Sequence, residues 1–408
     1  MRGWPFYKLE NVGLIDLHGI ADIVGVHIIS GGKVMKKSIL AMMTAAAVVL
    51  AACGGSGAST SGSDAGSTKA AADSSEKSSE EGGSGSEAAG GKRHIDVIAK
   101  GFQHQFWKAV EQGSKKAAEE FNVDVTFQGP DTESNIAQQI EYLDAAIAKK
   151  PTAICLAALD TKACLSSIES AMNADIPIIG FDSGVPDAPS GAIKANAATD
   201  NTAAGALAAD QLYELIKDKL DGEKPVRIGV IAQESNSQSI VARTKGFVDE
   251  MTKKVGEDKV SVEGHDSLKK EKSGAKLILD VGIPAEVKDA DAAAVASAIL
   301  EKEDLIAVYG SNEFASNAII TANEGLDKIG EGKVVAVGFD AGAKLLDAVR
   351  SGLFAGAVTQ DPVQIGYQAV KLAVEAADGK AVSDVDTGAK WYDKNNMDDS
   401  EIKPCLYE

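Results

Sequence analysis

From Ile95 onward, short apolar runs alternate with longer stretches whose apolar residues recur at helical spacing. Ile95-Asp96-Val97-Ile98-Ala99 is the first such run, and Phe106, Ala109, Val110, Gly113, Ala117 and Phe121 then fall on one helical face. The pattern predicts strands at 95–99, 123–127, 153–156, 177–181, 226–231, 276–281, 305–309, 334–338 and 355–359. It predicts helices at 105–121, 136–148, 162–172, 201–215, 240–253, 289–301, 314–326, 343–350 and 363–377. Apolar strands joined by amphipathic helices argue βαβ units and parallel sheets, an α/β class.

One internal echo sharpens this picture. Pro177-Ile-Ile-Gly-Phe-Asp182-Ser-Gly and Val335-Ala-Val-Gly-Phe-Asp340-Ala-Gly are near copies. Each is a buried strand that ends in an aspartate and a glycine turn. Ligands of open parallel sheets bind beyond the carboxyl ends of strands. Two similar lobes facing a cleft would therefore each present one carboxylate there. The other reading of each aspartate is a cap on the following turn or helix.

Composition narrows the function. Among 408 residues, 41 Lys and Arg against 60 Asp and Glu give a net charge of −19. A duplex-binding surface needs clustered cations, so nucleic acid is an unsuitable partner. Four cysteines in this length make no disulfide framework. Cys155 and Cys164 read as small core residues, and Cys405 has no evident partner. The chain has no phosphate loop of the G-x-x-x-x-G-K-[ST] type, no G-x-S-x-G turn and no C-x-x-C pair. Its five histidines, 18, 27, 94, 104 and 265, show no metal-ligand spacing. No catalytic set, metal or cofactor is expected.

The N-terminal part reads as an address. Met35-Lys-Lys-Ser precedes an apolar stretch, Ile39 to Leu50, and then Leu50-Ala51-Ala52-Cys53-Gly54-Gly55. A basic start, a short apolar core and small residues before a cut site make a secretory signal over 35–52. Cys53 in this setting resembles a bacterial lipobox, which implies a diacylglyceryl thioether on Cys53. Residues 1–34 do not fit and are expected to be a mis-assigned extension, with Met35 as the true start. Residues 53–92 are mostly Ser, Gly, Ala and Glu and should form a flexible tether.

Six segments carry a family resemblance. They are Lys100-Gly-Phe-Gln-His104-Gln-Phe106-Trp107, Phe181-Asp182-Ser183-Gly184, Ala198-Thr199-Asp200-Asn201, Gly310-Ser311-Asn312-Glu313, Gly338-Phe339-Asp340 and Thr359-Gln360-Asp361-Pro-Val-Gln-Ile-Gly366. In order and spacing they resemble the ribose-binding type of bacterial solute-binding proteins, the type I periplasmic-binding fold, over about Arg93 to Ala389. The resemblance implies two similar doubly wound lobes joined by three crossings near 198–199, 360–361 and 388. Lobe one would comprise 93–198 plus 361–388, and lobe two 199–360 plus 389–408. The segment 255–275, rich in Lys, Asp and Glu, exceeds the family's usual connection and reads as an exposed insertion.

Family contacts carry over position by position. Phe106 and Trp107 match the aromatic pair that covers the apolar C–H face of a sugar. His104 matches a polar position beside them. Asp182 and Asp340 match hydroxyl acceptors, and Asn312 and Gln360 match amide contacts. Arg243 lies in the matching loop-to-helix segment, where it serves ligand or structure. Lys100, at the mouth of the first strand, either pairs with Asp182 or faces solvent. Ribose binders have Asn where this chain has Ala157 and Arg where it has Ser183, which argues against ribose itself. Asp340 is further expected to bond the ligand alone, so that Asp340→Asn leaves the empty protein's stability little changed.

These residues predict an extracytoplasmic lipoprotein, anchored at Cys53 in a Gram-positive cell. As a monomer, it would deliver a neutral sugar, polyol or sugar derivative to an ABC permease and its ATPase. A sensory receptor of the same fold, serving a membrane kinase or chemoreceptor, is the alternative. An enzyme using Asp182 and Asp340 as acid and base would lack any accompanying nucleophile, metal set or cofactor loop.

Overall fold

The computed structural model describes residues 92–102 and 104–408. The proposed extension, the signal, Cys53 and the tether as far as residue 91 lie outside the described residues. The chain runs β1 (His94–Ile98), α1 (Gln105–Glu120), β2 (Asp124–Gln128), α2 (Ile136–Lys149), β3 (Ala153–Leu156), α3 (Leu165–Asn173), β4 (Ile178–Phe181) and β5 (Ile193–Ala198). It continues α4 (Asn201–Ile216), β6 (Val226–Ile231), α5 (Gln238–Val255), β7 (Val260–Glu263), β8 (Leu277–Gly282), α6 (Asp289–Leu300), β9 (Leu305–Gly310) and α7 (Glu313–Leu326). Then come β10 (Val335–Phe339), α8 (Ala343–Arg350), β11 (Gly356–Gln360), α9 (Pro362–Ala377), β12 (Val385–Asp386) and β13 (Ala389–Tyr392).

Two sheets result. The first is six-stranded, in the order β12-β5-β4-β3-β1-β2, and every neighbouring pair is parallel. The second is seven-stranded, β13-β11-β10-β9-β6-β8-β7, parallel except for β11 with β13. Both contain the same doubly wound order of five strands: β2-β1-β3-β4-β5 is repeated as β8-β6-β9-β10-β11. The strand order reverses around β1 in one sheet and β6 in the other, and such a switch point opens a crevice at the carboxyl ends. In central strands such as β3 and β4 the residues are buried on both faces, as covered parallel sheets require.

The chain passes between the sheets after β5, after β11 and after β12. Two of these crossings are bonded side by side. Thr387 N–H donates to Ala198 O at 3.1 Å, and Thr199 Oγ1 donates to Gly388 O at 3.1 Å. At the remaining crossing, Asp361 caps α9 by accepting from Gln364 N–H at 2.9 Å.

The hydrophobic pattern missed β5, β7, β12 and β13. Ile193-Lys-Ala-Asn-Ala-Ala198 lacks a continuous apolar run, because small residues suffice where α9 lies against the sheet. The segment 255–275 is only partly an exposed insertion. Its Val260 and Val262 are buried, and they form edge strand β7 parallel to β8. Two apolar residues among lysines and carboxylates give too short an alternation to register as a strand.

Helix pairs α1/α9 and α4/α5 make matching close contacts. A Cβ on Gly366 would lie 2.0 Å from Val110 O, and one on Gly205 would lie 2.0 Å from Arg243 O. Glycine to alanine inside a helix ordinarily stabilises by about 0.5–1 kcal/mol. Here the sign reverses, because the new methyl meets backbone. Gly205→Ala and Gly366→Ala are each expected to destabilise by about 1–3 kcal/mol. A thermal melt with unchanged or raised midpoint would contradict this packing.

Candidate functional site

Carboxyl ends of strands from both sheets converge on one narrow cavity. Lys100 and His104 follow β1, and Phe106 and Trp107 occupy the first turn of α1. Asp182 follows β4, Asp340 follows β10, Asn312 precedes α7, Gln360 ends β11 and Arg243 projects from α5. All nine side chains picked out from the sequence line this space.

The two echoed aspartates share a backbone conformation. Asp182 has φ 54° and Asp340 has φ 76°, in the left-handed region that short polar side chains tolerate best after glycine. Their surroundings differ. Asp340 Oδ1 accepts from Gln360 Nε2 at 2.7 Å, and Oδ2 accepts from the Glu313 N–H at 3.1 Å. Tyr392 Oη also donates to Asp340 O at 2.9 Å. Asp340 therefore braces the start of α7, and the expectation of a carboxylate reserved for ligand is corrected: Asp340→Asn would disturb the empty protein too. Asp182, buried likewise, has no hydrogen bond to its carboxylate among the described residues. Burial pushes its pKa up to about 6, against the pull of Lys100 and Arg243.

Arg243 is held rather than free. Its Nε and Nη2 donate to Asn201 Oδ1 at 3.1 and 2.7 Å, and Nη1 donates to Ser311 O at 2.9 Å. Its guanidinium lies 3.7 Å from the centre of the Phe339 ring, and Nη1 is 3.8 Å from Asp340 Oδ2. A buried cation in a stack of this kind orients its neighbours. Asn312 is the N-cap of α7: Oδ1 accepts from Ala315 N–H at 3.0 Å, while Nδ2 donates to Gln233 Oε1 at 2.7 Å. Among the described residues, Gln360 Oε1 and His104 Nε2 are buried without a hydrogen-bond partner, although His104 Nε2 lies 3.5 Å from Glu133 Oε1. Lys100 Nζ does not bond Asp182; it donates to Ser237 Oγ at 3.2 Å and lies 3.9 Å from Glu133 Oε2.

Glu133, Glu313, Ser239 and Ile240 also line the cavity, and sequence reasoning missed them. Glu133 follows β2 and Glu313 opens α7, both at carboxyl ends of strands or just beyond, so the strand-end rule contained a signal for them. Ala157 and Ser183, the two departures from the ribose pattern, do not line the cavity. Ser183 Oγ instead accepts from Ser239 N–H at 3.3 Å, which joins the sheets.

Glu313 carries the clearest pH signature. Burial raises its pKa to about 8 and the nearby Asp340 charge adds to this, while the Phe106 and Gln105 N–H groups at the start of α1 oppose it. The folded protein thus holds this proton at pH values where the unfolded chain has lost it. Stability is full below about 4.5 and is lost as pH rises from there to about 8. Glu313→Gln is expected to remove this fall, the gap reaching roughly 3–5 kcal/mol by about pH 9. Parallel denaturation curves of the two proteins from pH 5 to 9 would refute it.

The C-terminal residues hydrogen-bond the turn after β10 and the end of β11. Tyr407 Oη accepts from Ala341 N–H at 3.1 Å, and Tyr407 O accepts from Gly342 N–H at 2.9 Å. Thr359 Oγ1 donates to Cys405 O at 3.0 Å. The Tyr407 ring centre lies 6.1 Å from that of Phe106.

Two facing doubly wound units with a polar cavity at their strand ends define a class of ligand-binding protein, and the family follows directly. Residues 95–381 match the family model described as periplasmic binding protein domain, and the chain belongs to that family. A solved structure from Brachyspira murdochii, described as an ABC transporter, LacI family transcriptional regulator, is 37% identical with a TM-score of 0.66, covering 78% of this chain and 99% of that one. An ABC transporter solute binding protein from Agrobacterium vitis, solved with bound D-fucose, is 29% identical with a TM-score of 0.66, covering 77% and 100%. The D-allose-binding periplasmic protein of Escherichia coli is 24% identical over 300 residues, 72% of this chain and 88% of that protein. The family's members are sugar-binding transport proteins of the extracytoplasmic side. Among the described residues, no helix is long and apolar enough to cross a membrane.

Proposed function

We propose that the cavity takes up one sugar, polyol or sugar derivative and that the protein passes it to an ABC importer. The observation that carries this reading is a set of buried acceptors and donors around one small cavity: the Asp182 carboxylate, Gln360 Oε1 and His104 Nε2, beside the rings of Phe106 and Trp107. Hydroxyls satisfy such groups, and the aromatic faces cover ring C–H. Glu133 adds a charged carboxylate to Asp182 and Asp340, against Lys100 and Arg243, while Glu313 keeps its proton at neutral pH. Like charges repel strongly in such a space, which favours a neutral or cationic ligand over a sugar acid.

The walls are buried, so a ligand enters only when the two sheets separate at their three crossings, a hinge motion of the kind solute receptors use. In this reading the protein is a monomer of the extracytoplasmic face. A lipid on Cys53 and the tether after it would keep the protein near a Gram-positive membrane. Calorimetric titration of residues 92–408 with pentoses, hexoses, polyols and sugar acids tests the proposal. One-to-one binding of a neutral sugar is the expected result. Tight binding of a sugar acid alone, or turnover of any sugar, would sink it.

A further inference from the structure

We infer that Glu133 is a positioning residue for ligand capture: it fixes the Trp107 indole in the cavity wall and clasps the two sheets together through Gln233. The inference rests on the sugar-binding reading given above. Glu133 lies in the loop after β2 and is 5% exposed. Its Oε1 accepts from Trp107 Nε1 at 2.7 Å, and its Oε2 accepts from Gln233 Nε2 at 2.9 Å. Gln233 stands just beyond β6, in the other sheet, and is fully buried. Gln233 Oε1 accepts from Asn312 Nδ2, and Asn312 Oδ1 caps α7. One line of hydrogen bonds thus runs from an indole on α1, through a carboxylate of the first sheet's unit, to a helix start on the second.

The charge is held as well as bonded. Lys100 Nζ lies 3.9 Å from Oε2, and His104 Nε2 lies 3.5 Å from Oε1. Burial alone would drive a proton onto this carboxyl. His104, Lys100 and the bonds from Gln233 and Trp107 outweigh it, and the pKa stays below the ordinary value. An ionised carboxylate accepts from both donors at once, and its bonds are stronger than those of a neutral amide.

Two consequences follow. The indole cannot turn about its bond to Cβ without losing the bond to Glu133, so its face toward the cavity is set before a ligand arrives. The Gln233 bond crosses between the sheets, so it forms on closure and must break before release. Glu133 should therefore act on the rate of ligand escape more than on the rate of entry, as contacts made after encounter generally do. The same bond is made whichever sugar is inside. It deepens capture without choosing the ligand, and the choice is left to the groups that face the cavity.

The test uses the full chain carrying Trp4→Phe and Trp391→Phe, so that Trp107 is the sole indole. Without ligand, Glu133→Ala, which removes both acceptor oxygens, is expected to shift the emission to longer wavelength and to raise acrylamide quenching roughly twofold or more, since residue 133 no longer holds the ring. Unchanged emission and quenching would overturn the positioning role. With the tightest binder among D-allose, D-ribose, D-fucose and galactitol, stopped-flow release is expected to be roughly tenfold faster in Glu133→Gln, with association within about twofold. The amide at 133 can donate to a carboxylate at 233, so the exchange Glu133→Gln with Gln233→Glu is expected to bring release back to within about threefold of the parent. A variant that lowers the melting temperature but leaves release unchanged, or an exchange that rescues nothing, would overturn the clasp. Failure of all four sugars to bind the parent would count against the sugar-binding reading, and the ligand-free fluorescence would still decide the positioning role.

Discussion

Trp107→Ala is expected to weaken sugar binding by roughly 30- to 1000-fold, about 2–4 kcal/mol, and to abolish the ligand-induced change in intrinsic fluorescence. The indole is 2% exposed, packs edge-on to Phe106 with centroids 5.0 Å apart, and forms part of the cavity wall. Truncation removes an aromatic face and leaves an acceptor oxygen of Glu133 without the indole N–H. Trp391, on β13, does not line this cavity, so its emission should not follow the ligand. The measurement is a fluorescence titration beside a calorimetric one. Normal affinity in the alanine variant would show that the ring only anchors α1 to its sheet.

Asp182→Asn should do two opposite things. The native carboxylate is buried with no hydrogen bond among the described residues, and burial raises its pKa from 3.8 to about 6. Because the folded form keeps this proton longer than the unfolded chain, stability is greatest below 3.8, falls as pH rises to about 6, and carries the full penalty above that. The amide removes the penalty, so the empty variant should be more stable at neutral pH by about 2–3 kcal/mol, a gain that vanishes near pH 4. Sugar binding should nevertheless weaken by roughly 10- to 100-fold, as a charged acceptor of hydroxyls is lost. A stabilised variant with full affinity would mean that ligand does not touch Asp182. A destabilised one would mean that the carboxylate bonds the protein after all.

Much of this arrangement was legible because the same local rule was repeated. A buried run ending in Phe-Asp, once at Phe181-Asp182 and again at Phe339-Asp340, marks the carboxyl ends of two parallel strands, and the fold brings such ends together. The helical spacing of Phe106, Val110, Gly113 and Ala117 located α1 for the same reason. What escaped was decided by contacts distant in sequence. Nothing local says that Glu133 faces Gln233, exactly 100 positions later by its number and across the cleft. Nor does the sequence near Asp340 say that its carboxylate braces the N–H of Glu313. Strands β5 and β7 escaped for a simpler reason: alanines and isolated valines are strand residues only where a neighbouring strand and helix already enclose them.

The tail at Tyr407 has a practical consequence for handling the protein. Loss of Tyr407 and Glu408 would take away the acceptors of Ala341 and Gly342 N–H and loosen the turn that presents Asp340. Both sheets would remain, so circular dichroism would report sound material while the ligand assay failed. Intact-mass measurement is the appropriate check on a preparation.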